Sequence, residues 1–208
     1  EGLEWTAKMI KYCHSINPEL EYEVGTEESI KKFSAEDLDV FLFTLKKFLT
    51  TQQFNKIKYI VVQSGTSLKE NKNTGKYDKD RLKRMIAVAK KYNLLSKEHN
   101  GDYITSKCIK SKFKLGLDAI NIAPEFGLIE TLTYIEEGIN INKFWKICYN
   151  SKRWEKWVDK DFDHKKKLDL IKICGHYVFS SKEFKAIKPN INRKIKANIK
   201  KKLNELFK

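Results

Sequence analysis

A chain of 208 residues with 41% hydrophobic and 12% aromatic side chains has the material for a sizeable core, which excludes a disordered polypeptide. The formal net charge of +15 is carried mainly by lysines spread over almost every predicted helix, with only 182–208 densely basic, so it reads as a solvated surface; no zinc-finger, homeodomain or RNA-recognition signature accompanies it. Cys13, Cys108, Cys148 and Cys174 form no C-x-x-C pair, and neither a secretory signal nor an apolar run of about 18 residues is present, which excludes a disulfide framework, a zinc knuckle and a membrane span and gives the expectation of a cytoplasmic protein.

The chain opens on Glu1 rather than Met, already inside a helical pattern, so it is read as a fragment lacking an N-terminal portion. Residues 3–16 are predicted as an amphipathic helix stopped by Asn17-Pro18, and 20–25 as a strand in which Tyr22 and Val24 alternate with Glu21 and Glu23. Ser34 and Asp37 make a capping-box-like start for a helix with Leu38, Phe41, Leu42, Leu45 and Leu49 on one face. Residues 57–63 are a near-continuous apolar strand, followed by a polar loop over 64–77. Asp78 caps the next helix, whose apolar positions Leu82, Met85, Ile86 and Val88 lead to a short strand at 94–98.

A helix over 105–115 closed by Gly116 precedes a fourth strand at 117–122, and Pro124 opens a helix expected to turn Leu128, Ile129, Leu132 and Ile135 inward. Beyond Asn140 the pattern is helical and aromatic; Trp145, Trp154 and Trp157 are read as packing residues, His14 and His164 as surface and His176 as structural. Four strand–helix alternations call for parallel β-α units, half of an eight-stranded barrel. The expected organisation is residues 1–139 as a half-barrel and 140–208 as a mostly helical extension.

Each apolar run ends in polar residues, where parallel α/β proteins keep their chemistry. The densest is Glu98-His99-Asn100-Gly101-Asp102-Tyr103; the others carry Glu23 and Glu27, Gln63-Ser64-Gly65-Thr66, and Asn121 with Glu125. Glu23, Glu27, Glu98, His99 and Asp102 are the candidate carboxylate and imidazole ligands or acid–base groups, while Ser64-Gly65-Thr66 and Asn100-Gly101 have the hydroxyls and backbone N–H groups that hold a phosphate. The plainer alternative pairs Glu98 and Asp102 with lysines such as Lys97 and leaves His99 merely hydrogen-bonded.

At these strand ends the sequence resembles the non-catalytic-subunit family of class II tagatose-bisphosphate aldolases, the tagatose-6-phosphate kinase/aldolase-subunit-like barrels. The Glu-His-x-x-Asp-Tyr run of that family is matched by Glu98, His99, Asp102 and Tyr103, its Gly-Thr-Glu run by Gly25-Thr26-Glu27, and its Gly-Pro-x-x-Thr segment loosely by Ala123-Pro124-Glu125-Phe126-Gly127, within roughly 20–135. More distantly it is similar to the catalytic class II aldolases, in which Glu23, His99 and Asn121-Ile122 look like residues of the metal and phosphate strands, with Gln63 where a second histidine would stand.

The resemblance implies a (β/α)8 barrel of the TIM type, of which this chain would hold the last four units, and metal-assisted lyase or isomerase chemistry on a phosphorylated sugar. In that scheme His99 and Glu23 hold a divalent ion, zinc or another. Glu27, Glu98 and Asp102 act as acid–base groups, and Gln63, Ser64, Gly65, Thr66, Asn100, Asn121 and Glu125 bind the sugar phosphate. The alternative is a non-catalytic subunit that stabilises a separate aldolase or self-associates; a basic nucleic-acid binder is the third reading and rests on charge alone.

Overall fold

The computed structural model describes residues 1–25 and 32–207, and the chain divides into two compact units. The first comprises Glu1–Ser67, Gly75–Gly101 and Cys108–Asn121; the second comprises Leu68–Thr74, Asp102–Lys107 and the chain from Ile122 on. Residues 122–139 belong with the C-terminal helices because the helix they form is packed among them.

The first unit is built on a four-stranded sheet of β1 (Tyr22–Val24), β2 (Ile57–Val62), β5 (Leu95–Glu98) and β6 (Ala119–Ile120). All three pairings are parallel, and spatial order follows chain order, as the four apolar runs predict. The connecting helices are α1 (Gly2–Ile16), α2 (Ala35–Phe48), α3 (Thr51–Asn55), α4 (Lys79–Lys91) and α5 (Ser106–Lys114). Ser34 and Asp37 close the capping box before α2 with two bonds of 2.9 Å, and the Asp78 carboxylate caps α4 through Arg81 N at 2.9 Å. The sequence reading missed α3, although Thr50-x-x-Gln53 is itself a capping box that announces it.

The period of two along each strand divides the sheet into unlike faces. Tyr22, Val24, Ile60 and Val62 join Leu42, Leu45, Leu82, Met85 and Ala89 of the helices in one core cluster. Glu23, Tyr59 and Lys97 alternate with them and belong to the opposite face. Register places Glu23 beside Tyr59, and Val61 beside Lys97.

The second unit contains a small antiparallel pair, β3 (Leu68–Lys69) with β4 (Lys72–Asn73), inside the stretch read as a loop; two-residue polar strands leave no periodic trace. Its helices are α6 (Pro124–Glu136), α7 (Ile141–Ser151), α8 (Lys167–Cys174), α9 (Lys182–Lys185) and α10 (Asn192–Phe207), with 3-10 turns at Glu155–Trp157 and Gly175–Val178. Phe144, Leu170, Ile171, Cys174 and Phe184 centre its core, where the Tyr134 and Phe184 rings meet edge-on at 5.1 Å. Trp145, Tyr149 and Trp154 stack on one another, in keeping with a packing role.

Helix α6 departs from its expected inward face. Leu128, Ile129, Leu132 and Ile135 are only half-buried, whereas Glu125, Thr131, Thr133 and Tyr134 are buried. With α8, α10 and the Gly175–Val178 turn all packed against it, α6 has no single solvent side. The two threonines satisfy their hydroxyls on Gly127 O and Ile129 O at 2.8 Å. The four cysteines are unbridged, and among the described residues no helix is long and apolar enough to cross a membrane.

Candidate functional site

Glu23 and His99 are 76 residues apart in sequence and meet across β1 and the end of β5, with His99 Nε2 at 2.8 Å from Glu23 Oε1. The Lys97 ammonium binds the other carboxylate oxygen, Glu23 Oε2, and its Nζ also lies 5.8 Å from the centre of the Tyr59 ring. The Lys97, His99 and Glu23 side chains keep 20%, 24% and 30% of their surface accessible, so all three reach solvent. Partial burial raises the Glu23 pKa, but the hydrogen bonds from Lys97 and His99, together with their charges, outweigh it and hold the carboxyl below the ordinary range. A carboxylate that orients an imidazole, beside a cation, is an arrangement able to move a proton and to stabilise developing negative charge.

Glu98 belongs to the other face. Strand alternation sends it toward the helices with Ser96, while Lys97 turns the opposite way, and Glu98 is 1% exposed. Its oxygens accept from Lys112 Nζ at 2.8 and 2.7 Å, from Thr66 Oγ1 at 2.8 Å, and from Ser64 Oγ. Ser64 Oγ in turn accepts from Lys112 at 2.6 Å, and the Tyr77 ring covers the ammonium at 4.4 Å.

The hydroxyls assigned to a sugar phosphate are therefore committed to Glu98, and the carboxylate assigned to acid–base work is sealed in a buried ion pair. Gly65, between those two hydroxyl residues, holds a left-handed turn at φ 91, where a side chain would strike Lys76 O. The sequence reading missed Lys112. Its signal was its place three residues after buried Ile109 on α5, where a lysine stands on an otherwise apolar stripe.

The remaining candidates also serve the framework. Gln63 Oε1 accepts from Phe33 N and Arg81 Nη2, both at 2.7 Å, and Arg81 Nη2 also reaches Phe33 O at 2.6 Å. Asn121 joins strand ends through its main chain, donating to Glu98 O at 2.8 Å and accepting from Gly101 N at 2.9 Å. Gly101 is required there, because a Cβ would come within 2.5 Å of Ile120 Cγ1. Asn100, just before it, occupies the left-handed region at φ 61. Glu27 and its neighbour Thr26 lie outside the described residues.

In the second unit Asp102 is 2% exposed and caps α6, accepting at Oδ1 from Ala123 N at 2.9 Å and Glu125 N at 2.8 Å. Burial raises its pKa, more than these backbone bonds lower it. Glu125 accepts from Tyr103 N at 2.8 Å and pairs with Lys202 at 2.5 Å. Both acids thus organise the start of α6. Of the other histidines, His164 packs against the Tyr149 ring at 5.3 Å, and burial, with Lys156 nearby, lowers the pKa of His176.

The donor set at Glu23 and His99 does not by itself fit a divalent ion. Among the described residues no three His, Cys, Asp or Glu side chains gather, whereas protein metal sites take three or more ligands. Lys97 also places a positive charge on the one carboxylate available.

No protein-family model matches the sequence, and no curated protein matches it. Among solved structures, 80% of the chain superposes on 48% of a probable tagatose 6 phosphate kinase from Sinorhizobium meliloti 1021, at 16% identity and a TM-score of 0.57. Similarly, 96% of the chain superposes on 46% of the glycerol-complexed fructuronate-tagaturonate epimerase UxaE from Cohnella laeviribosi, at 8% identity and a TM-score of 0.60. The chain spans a little under half the length of each, and what it shares with them is a fold.

Proposed function

We propose that the chain is part of a (β/α)8-type barrel that acts on a phosphorylated sugar by aldolase-like or epimerase-like proton transfer, with Glu23, Lys97 and His99 as its reactive wall. The observation that carries this reading is the contact of Glu23 with His99 and Lys97 on the sheet face opposite the helices, the face a closed barrel turns to its interior. Supporting it are the chain-order parallel sheet, and two structural neighbours whose names refer to a sugar phosphate and to sugar acids. His99 takes a proton from the carbon next to the sugar carbonyl, Glu23 stabilises the resulting imidazolium, and Lys97 offsets negative charge on the enediolate or phosphate.

A second reading, a non-catalytic subunit that supports a separate aldolase, is favoured by one observation: Glu98, Asp102 and Glu125 are all consumed by internal contacts. Deuterium exchange separates the two. The protein is incubated in D2O with a panel of phosphorylated ketoses, and label on the carbon beside the carbonyl is read by NMR. Exchange is expected in the wild type and should fall about 10²- to 10⁴-fold in His99→Ala, the range of a lost general base. Exchange that survives His99→Ala undamaged overturns the site, and a wild type that neither binds nor exchanges any of the sugars leaves the subunit reading.

A further inference from the structure

We infer that Lys112 is a positioning residue: by gripping Glu98 beneath the sheet it fixes the end of β5 so that His99 meets Glu23 above it. The inference rests on the proposed role of Glu23 and His99 for its importance to activity, but the geometry stands without that role.

Glu98 and His99 are consecutive residues that point to opposite faces, so the orientation of one dictates the other. Glu98 is held from three directions, by Lys112 of α5 and by Ser64 and Thr66 of the segment following β2. Its carbonyl receives Asn121 N at 2.8 Å, so the same residue also sets β5 against the chain leaving β6. Every donor of the ammonium is used: Nζ reaches both Glu98 oxygens and Ser64 Oγ, and Lys112 itself is fully buried. Registry is the best-attested use of a fully satisfied buried ion pair, since such a pair adds little net stability over apolar replacements. With Lys112 gone, the Glu98 carboxylate must find water, which requires rotating the strand end and with it His99.

The readout is the contact itself, followed at one fixed pH by NOEs between the His99 ring protons and the Glu23 side chain, which lie together in the wild type. Lys112→Met removes the grip at near-constant volume and leaves the Glu98 carboxylate to seek water, and in it these NOEs should be lost. Lys112→Met/Glu98→Leu leaves no charge unpaired and should restore them. Leu82→Ala, a cavity in the same core, should lower stability and leave the NOEs intact, which separates positioning from general loosening. Undiminished NOEs in Lys112→Met overturn the inference. Should that variant fail to fold, Lys112→Gln decides: it removes the charge and keeps a polar end, and undiminished NOEs there overturn the inference equally. The measurement needs no sugar, so failure of the sugar-phosphate reading and failure of the positioning role are distinguishable.

Discussion

Two charged clusters occupy adjacent positions of β5 on opposite faces of one sheet. Lys112 with Glu98 is sealed, at 0% and 2% side-chain exposure, and the pair is bonded in addition to Ser64 and Thr66 of the segment after β2. Glu23, Lys97 and His99 keep 20% to 30% of their side-chain surface and belong to the other face of the sheet. The chemistry of the two clusters is similar, a carboxylate with a lysine, so the contrast comes from solvent alone. A buried pair is costly to break because the surviving charge cannot be hydrated, whereas an accessible one is cheap to rearrange and hence open to a ligand.

The contrast is tested most severely at Lys112. Lys112→Ala should destabilise the protein by about 3 to 5 kcal/mol in urea denaturation, since it strands the Glu98 charge. A loss below about 1 kcal/mol, the size of a surface pair, would erase the distinction between the faces.

Asp102 gives an intermediate case, buried but satisfied by backbone rather than by a counter-ion. Asp102→Ala should cost about 1 to 2 kcal/mol, the worth of a helix N-cap. Because burial raises its folded pKa, the contribution tied to its protonation is fully present below the ordinary aspartate value and is lost as pH rises through the folded value. The stability difference between wild type and Asp102→Asn should shrink as pH climbs through that window in a pH series of melts. A difference that grows would reverse the sign of the burial effect.

The smallest effect belongs to Glu23. Glu23→Gln should change stability by less than about 1 kcal/mol, as for other solvent-accessible pairs. Its folded pKa is depressed, so its contribution is present above the ordinary glutamate value and disappears as pH falls through the folded one. A loss as large as that at Lys112 would make the cluster a structural fixture and remove the reason to seek a ligand there.

The four strands were legible in the sequence because each is an apolar run flanked by helical periodicity, and their parallel order followed from helix-length crossovers. The site was legible in part. Reading strand ends as one polar rim brought together Glu23 and His99, whose side chains do meet, but gathered Glu98 with them, although alternation already sends Glu98 to the helical side. Lys112 escaped because a lysine on a short helix is ordinarily solvated, and only the packing of α5 reveals that its neighbour Ile109 lies on the buried stripe. Asp102 looked like chemistry because a cap and a catalytic acid share a side chain; which it becomes depends on where the next helix starts.

The agreement between strand order and chain order bears on how the protein is made. Each strand pairs with one that precedes it by a single helical crossover, so no strand must wait for a later segment to be inserted between it and its neighbour. A chain emerging from the ribosome can lay down β2 on β1, β5 on β2 and β6 on β5 as each is synthesised, closing one short loop at a time. Because doubling a loop adds only about 0.6 kcal/mol of closure entropy, these successive steps are of nearly equal difficulty.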